Sequence, residues 1–140
     1  GLGAPATVRR DARGIPHIAA ATTSDLYFAQ GYTCAQDRLW QMDLLRRDAS
    51  GQLSELVGAV AFERDAKHRR LGFRQVCERA LQTLDPEPRA ALERYCDGVN
   101  AYIAGHGSEL PVEFALLRYD PKPWTPVDTM VIGKLMAETL

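Results

Sequence analysis

Ala35-Gln36-Asp37-Arg38-Leu39-Trp40-Gln41-Met42, continued by Asp43-Leu44-Leu45-Arg46-Arg47 and closed by Gly51, is the stretch that decides how this chain folds. Counted from Phe28, apolar or small residues recur at Phe28, Tyr32, Ala35, Leu39, Met42 and Ala49, in steps of four and three or their sum. That spacing is one face of an α-helix. A second row beside it runs Tyr27, Gly31, Cys34, Arg38, Gln41, Leu45. Arg38 and Gln41 then lie on the flank of the apolar face, where a long polar side chain is half-buried and needs a carboxylate or carbonyl partner to offset its desolvation. The stretch reads as the main core helix, with a polar network of Asp37, Arg38 and Gln41 built into its side.

Working outward, Thr22-Thr23-Ser24-Asp25 supplies the N-terminal cap of this helix and Gly51 its stop. Gly31, inside it, is unfavourable by about 1 kcal/mol against alanine, which marks the close approach of another backbone. Upstream, Thr7–Arg10 and Ile15–Ala19 are short extended runs separated by Asp11-Ala12-Arg13-Gly14, a β-hairpin with Pro16 at an edge or a strand start. His17 alternates away from Ile18 and reads as a structural, hydrogen-bonding histidine. Downstream, Gln52–Gly58 reads as a short helix, and Ala61 to about Thr83 as a helical segment that Gly72 divides. Within it Phe62, Ala66, Phe73, Val76, Cys77, Ala80, Leu81 and Leu84 set the period. Asp65 and Arg69 are spaced to pair on the surface, and Lys67–Arg70 reads as a solvated face. Asp85-Pro86-Glu87 opens a further helix, striped by Leu92, Tyr95, Val99 and Tyr102, with Gly98 as a second tight-packing position. Residues 108–120 read as a connector anchored by Phe114, Leu116 and Leu117. Trp124 then precedes Thr125-Pro126-Val127-Asp128, the cap of a last helix on which Ile132, Met136 and Leu140 share a face. That helix carries its apolar period to the final residue with no stop signal, so the 140 residues are expected to be part of something larger.

Composition limits what this unit can do. At 140 residues, 46% of them hydrophobic, the chain can bury one core. A net charge of −1, with arginine pairs scattered among acids, removes a nucleic-acid surface. No apolar run is long enough to span a bilayer, and no basic start is followed by an apolar core, so export is expected to be directed, if at all, by residues outside these 140. Cys34, Cys77 and Cys96 are odd in number, unpaired by spacing, and placed on apolar helical faces. They read as buried hydrophobes, and with His17, His68 and His106 isolated no metal site is expected. A search for a nucleophile with its base, paired carboxylates or a phosphate loop finds none. Ser24 and Ser54 are accounted for as cap and helix residues, and Asp37 and Asp43 as partners of the arginines. The residues alone describe one mostly helical unit over 1–140, with a buried polar network and no visible active site.

Val8-Arg9-Arg10-Asp11 with Gly14-Ile15-Pro16-His17-Ile18 resembles the start of the penicillin acylase (penicillin amidase) family. So do Gly31-Tyr32, the opening stretch through Met42, Arg46-Arg47, and Gly51 through Glu55-Leu56-Val57-Gly58. Tyr95-Cys96-Asp97-Gly98-Val99-Asn100-Ala101-Tyr102-Ile103 and Pro121–Asp128 are similar to later motifs of the same α chain.

The resemblance implies an α+β fold. This chain would be mainly α-helical with an N-terminal β-hairpin, completing the αββα four-layer core of an N-terminal-nucleophile hydrolase together with a β chain. It implies a precursor that cleaves itself into an obligate heterodimer, with the nucleophile and its base both on the β chain's first residue, a serine, and with no catalytic residue in this chain. The reaction implied is hydrolysis of an acyl amide through an acyl-enzyme, on penicillins or on related substrates such as N-acyl homoserine lactones. The alternative is a non-catalytic helical binding module on the same scaffold. In family members acting on penicillin G, the last helix presents a methionine, an arginine and a phenylalanine to the acyl pocket. Met136 matches the first, while Thr139 and Leu140 stand in place of the others, departures that open the pocket to aliphatic or other aromatic acyl groups. The resemblance also implies a structural Ca²⁺ whose ligands lie outside this chain, no organic cofactor, and a periplasmic or secreted bacterial protein.

Overall fold

The computed structural model describes residues 1–107, 109–138 and 140. The elements in chain order are strands β1 (Ala6–Arg10) and β2 (Pro16–Ala20), then helices α1 (Thr23–Ser50), α2 (Ser54–Val57), α3 (Phe62–Leu71), α4 (Phe73–Gln82), α5 (Pro86–Gly105), α6 (Val112–Leu117) and α7 (Pro126–Glu138), with a 3-10 turn at Gly58–Ala61. They group into two compact units. The first takes Gly1–Leu39, Asp85–Leu110 and Lys122–Trp124; the second takes Trp40–Leu84, Pro111–Pro121 and Thr125–Leu140.

In the first unit β1 and β2 form an antiparallel hairpin with Val8 opposite Ile18 and Arg10 opposite Pro16. Pro16 is the first residue of its strand, where its missing N–H breaks no ladder. The first half of α1 is fixed by Asp25, whose carboxylate accepts from the N–H groups of Gly3 (2.8 Å) and Ala4 (3.2 Å) and from the Thr22 hydroxyl (2.8 Å). The Thr22 Oγ1 in turn accepts the Asp25 N–H, the expected cap. α1 and α5 meet backbone to backbone: a Cβ at Gly31 would fall on the Tyr95 carbonyl, and one at Gly98 on the Phe28 carbonyl. Those are the two glycines that spacing marked for close packing. Tyr32 meets Tyr102 edge-on at 5.5 Å, and Asn100 closes the unit by exchanging two hydrogen bonds with the Trp124 backbone (2.7 and 2.9 Å). Asp85 precedes α5, but its side chain makes no capping bond.

The second unit is built on α4 and α7. Ala49, Cys77, Val127, Val131 and Leu135 form its buried cluster, with Leu81 and Met130 packed against it. Gly51 and Gly72 adopt positive φ (66° and 67°), which ends α1 and separates α3 from α4. Several expectations fail here. Residues 112–117 form helix α6 rather than a plain connector, and only Phe114 anchors it: Leu116 and Leu117 are exposed. Phe114 instead packs edge-on against Trp40 (5.4 Å) and Tyr119 (5.2 Å). Phe62 and Val76, read as part of a buried stripe, are exposed as well. In the Lys67–Arg70 run His68 alone departs from the solvated reading: it is buried, while Lys67, Arg69 and Arg70 are exposed. Asp65 is buried too, and its carboxylate caps α2 by accepting from the Leu53 and Ser54 N–H groups (3.0 and 2.8 Å) instead of pairing with Arg69 on the surface. Arg69 donates to the Gly51 carbonyl.

Candidate functional site

α7 begins with a reciprocal cap. The Asp128 carboxylate accepts from the N–H and the hydroxyl of Thr125 (2.8 and 2.7 Å). From there Val127, Val131 and Leu135, at steps of four, turn into the core. The face named from spacing, Ile132–Met136–Leu140, is the neighbouring one. Ile132 is half-buried, Met136 is 64% exposed and Leu140 is exposed. Thr139, the third candidate pocket residue, lies outside the described residues. Met136 and Leu140 therefore offer an apolar surface on the side of α7 that this chain's own core does not take up.

The polar network sits elsewhere than expected. α1 is broken at Arg38, whose backbone (φ −154°, ψ 32°) is not helical. The break resets the helical phase, so Arg38 and Gln41 face outward, and neither hydrogen-bonds or ion-pairs with another described residue. The expectation of half-burial for these two is corrected accordingly. Asp37, also exposed, pairs with Arg10 of the hairpin (2.5 and 2.9 Å), and Gln36 accepts from the same guanidinium. Past the break the same reset turns Asp43, Arg46 and Arg47 inward. Asp43 is fully buried and accepts from Arg46 (2.5 and 2.8 Å), Arg47 (2.8 Å) and the Tyr119 hydroxyl (2.7 Å). Arg47 also reaches Glu55 (3.0 Å) and stacks 4.9 Å from the centre of the Tyr119 ring. Arg46 lies 3.6 Å from Asp128, which Arg74 bonds at 3.1 Å. Burial alone pushes the Asp43 carboxyl up, but Arg46, Arg47 and Tyr119 outweigh it and hold it below the usual carboxylate range. Burial, and then the Asp43 acceptor, push the Tyr119 phenol well up. The motif spacing identified Asp43 as an arginine partner; Tyr119, 76 residues away, carried no signal at all.

The remaining polar groups of the described residues are engaged as follows. The hydroxyls of Thr22, Ser54 and Thr125 each donate to an aspartate that also caps backbone N–H groups. Asp25 is lowered chiefly by the Gly3 N–H, and Asp65 is lowered because its bonds to Ser54 and Leu53 outweigh burial, so both are poor proton acceptors. His17 is exposed beside Asp11 at 3.3 Å. Cys77 and Cys96 are buried and Cys34 is half-buried, and the three form no disulfide with one another. Among the described residues no group of three or more His, Cys, Asp or Glu could hold a metal ion.

Asp43 and Asp65 bear on acid stability. Their folded-state values lie below the unfolded ones. Their bonds therefore stabilise the fold above about pH 4, and that contribution is lost as the pH falls through the lowered folded values. Scanning calorimetry of the complete protein is expected to show a melting temperature that drops steeply below about pH 4. Equal melting temperatures at about pH 3 and about pH 7 would contradict this.

The chain spans about one-sixth of the length of the curated relatives it matches. It is 46% identical over 132 residues to the Penicillin acylase 2 proenzyme of Pseudomonas sp. (strain SE83), covering 94% of this chain and 17% of that protein. It is 38% identical over 136 residues to an acyl-homoserine lactone acylase of Pseudomonas aeruginosa, covering 97% and 16%. Among solved structures, a thermostable penicillin G acylase from Alcaligenes faecalis superposes with a TM-score of 0.86 at 30% identity, over 99% of this chain and 75% of that one. A helical chain led by a two-stranded hairpin, superposing in this way, is part of an N-terminal-nucleophile hydrolase fold. The penicillin amidase family profile matches residues 5–140, and the chain belongs to that family.

Proposed function

We propose that this chain is the α subunit, or the first part of it, of a self-processed acylase that hydrolyses the acyl amide bond of penicillins or related N-acyl compounds. The nucleophile is the N-terminal serine of a β chain cut from the same precursor. The observation that carries the reading is the apolar face of α7. Met136 and Leu140 stand exposed at the end of a helix whose other side is fully committed to the core, which suits a pocket wall completed by another chain. Arg38 and Gln41, turned outward beside the break in α1, serve as braces against that β chain. The relatives include acylases of penicillin and of acyl-homoserine lactone, which makes these the first two leaving groups to assay. A structural Ca²⁺ would take its ligands from outside this chain. No helix among the described residues is long and apolar enough to cross a membrane, and a periplasmic location fits a bacterial acylase.

The test is to purify the complete protein, take the intact masses and N-terminal sequences of its chains, and assay it on chromogenic N-acyl amides. A companion chain beginning with serine, together with acyl release, is the expected result. A lone chain without acyl release would instead favour a helical binding module. In the active protein, Met136→Phe is expected to lower the rate on long acyl amides relative to short ones by about tenfold, the scale of one methylene in a pocket. An unchanged ratio would return Met136 to simple packing.

A further inference from the structure

We propose that the turn carrying Val57, Val60 and Phe62 is a docking knob, which seats in an apolar socket of the companion β chain. The inference rests on the reading of this chain as one partner of a self-processed pair.

Residues 56–62, Leu-Val-Gly-Ala-Val-Ala-Phe, are the longest run in the chain without a polar side chain. Such a run belongs in a core, yet Ala61 is its one buried residue. Val57 is 49% exposed, Phe62 64% and Val60 87%. Single exposed apolar side chains are ordinary. Three large ones on one short turn concentrate apolar surface in the way that marks a contact site.

The exposure is built in, because the turn stands on two stems that polar bonds hold in place. In α2, Glu55 accepts from Arg47 (3.0 Å), and the N–H and hydroxyl of Ser54 donate to Asp65 (2.8 and 2.5 Å). At the start of α3, Arg64 donates to both oxygens of Asp48 (2.5 and 2.6 Å), and Asp65 is itself buried. Between the stems the Gly58 N–H donates to the Ser54 carbonyl and the Phe62 N–H to the Ala59 carbonyl. These bonds fix the backbone that carries the apolar tip, so docking it loses little further ordering entropy.

The occupant is set by the size of the protein and by the chemistry of the rim. This chain spans 17% and 16% of the two acylases it resembles, so the greater part of such a protein lies outside these residues, and in the proposed pair that part is the β chain. The rim is acidic. Glu63 follows Phe62, is exposed, and makes no hydrogen bond or ion pair with another described residue. An apolar socket with a basic group at its edge is the complementary surface. The same Glu63 disfavours an anionic lipid surface. It also disfavours a second copy of this chain, since a symmetric tip-to-tip contact would set Glu63 against Glu63.

The experiment uses the complete processed protein. A benzophenone side chain introduced at position 59, on the exposed tip, is expected on illumination to join this chain to the β chain, with the adduct located by peptide mass spectrometry. An adduct to a second copy of this chain, an adduct confined to this chain, or no adduct would overturn the proposal. Val60→Lys gives an independent readout. A side chain 87% exposed takes next to nothing from this chain's own core when it is replaced, so its effect in the complete protein reports a contact outside these residues. The substitution is expected to speed β-chain release in urea, followed by size-exclusion chromatography, by about tenfold, the scale of losing one anchor from an interface. An unchanged release rate would overturn the proposal. If Val60→Lys fails to mature, Val60→Ala decides by the same criterion, with a smaller acceleration expected. If the purified protein holds no second chain, the subunit reading falls and this inference with it. If the second chain is present and neither adduct nor faster release is seen, the docking site alone falls.

Discussion

Asp43→Ala is expected to destabilise the protein by about 3–5 kcal/mol, the cost of breaking a buried ion pair by removing one partner. The side chain is inaccessible to solvent and is the shared acceptor of Arg46, Arg47 and the Tyr119 hydroxyl. Removing it takes from two buried guanidiniums the carboxylate they share. Arg47 keeps Glu55, but that carboxylate is half-exposed and its pairing is screened. Arg46 also lies 3.6 Å from Asp128. The magnitude is large because the loss is of compensation, not of attraction, and a second variant separates the two. Replacing Asp43, Arg46 and Arg47 together by apolar residues of similar size removes the charges with their partner, and buried triads of this kind can be exchanged at little net cost. The single substitution is therefore expected to melt well below the triple one in denaturant titrations of the complete protein. If the triple variant is the less stable, the cluster's value lies in its hydrogen bonds to Tyr119 and Glu55 and not in charge balance.

Gly98→Ala is the second large effect. On propensity alone, alanine in the middle of α5 should be favourable by about 1 kcal/mol. Here the added Cβ would fall on the Phe28 carbonyl and close to the Tyr32 nitrogen, both main-chain atoms of α1 that cannot swing aside. Gly31 returns the arrangement by receiving the Tyr95 carbonyl of α5. Parting two helices by the width of a methyl group loses contacts along the whole crossing, about 1–3 kcal/mol or more, so the net sign is destabilising. Gly31→Ala should behave alike. The double variant should cost less than the sum, because helices already parted by one methyl meet the second at a distance. Thermal melts of the two single and the double variant test this, and a Gly98→Ala protein as stable as its parent would refute the close crossing.

The crossing was legible because a mid-helix glycine is costly unless something needs the room, and Gly31 and Gly98 each stood in an otherwise regular period. The Thr125–Asp128 cap was legible for a similar reason: hydroxyl and carboxylate three apart have one common use before an apolar run. The break at Arg38 was not. Periodicity assumes one phase from end to end, so Arg38 and Gln41 were assigned to the flank while the buried polar residues came one turn later. His68 was hidden by composition, since three basic neighbours make any window look solvated. Tyr119 was hidden by distance along the chain, because nothing local in its segment announces its partner. The apolar spacing of the candidate pocket face is legible in the sequence, but a stripe of apolar residues reads the same whether its own core or another chain covers it.

The chain passes between its two units five times, after Leu39, Leu84, Leu110, Pro121 and Trp124. This interleaving governs the order in which the protein can become stable as it is made. Neither unit is a continuous segment, so neither can finish while synthesis is partway along. The first waits for Trp124 to engage Asn100, and the second for Val131 and Leu135 to cover Cys77 and Ala49. Until α7 leaves the ribosome, the apolar faces of α1 and α4 stay uncovered, a state prone to association and suited to chaperone capture. The helix that would shape acyl choice is thus also the one whose arrival closes the second core.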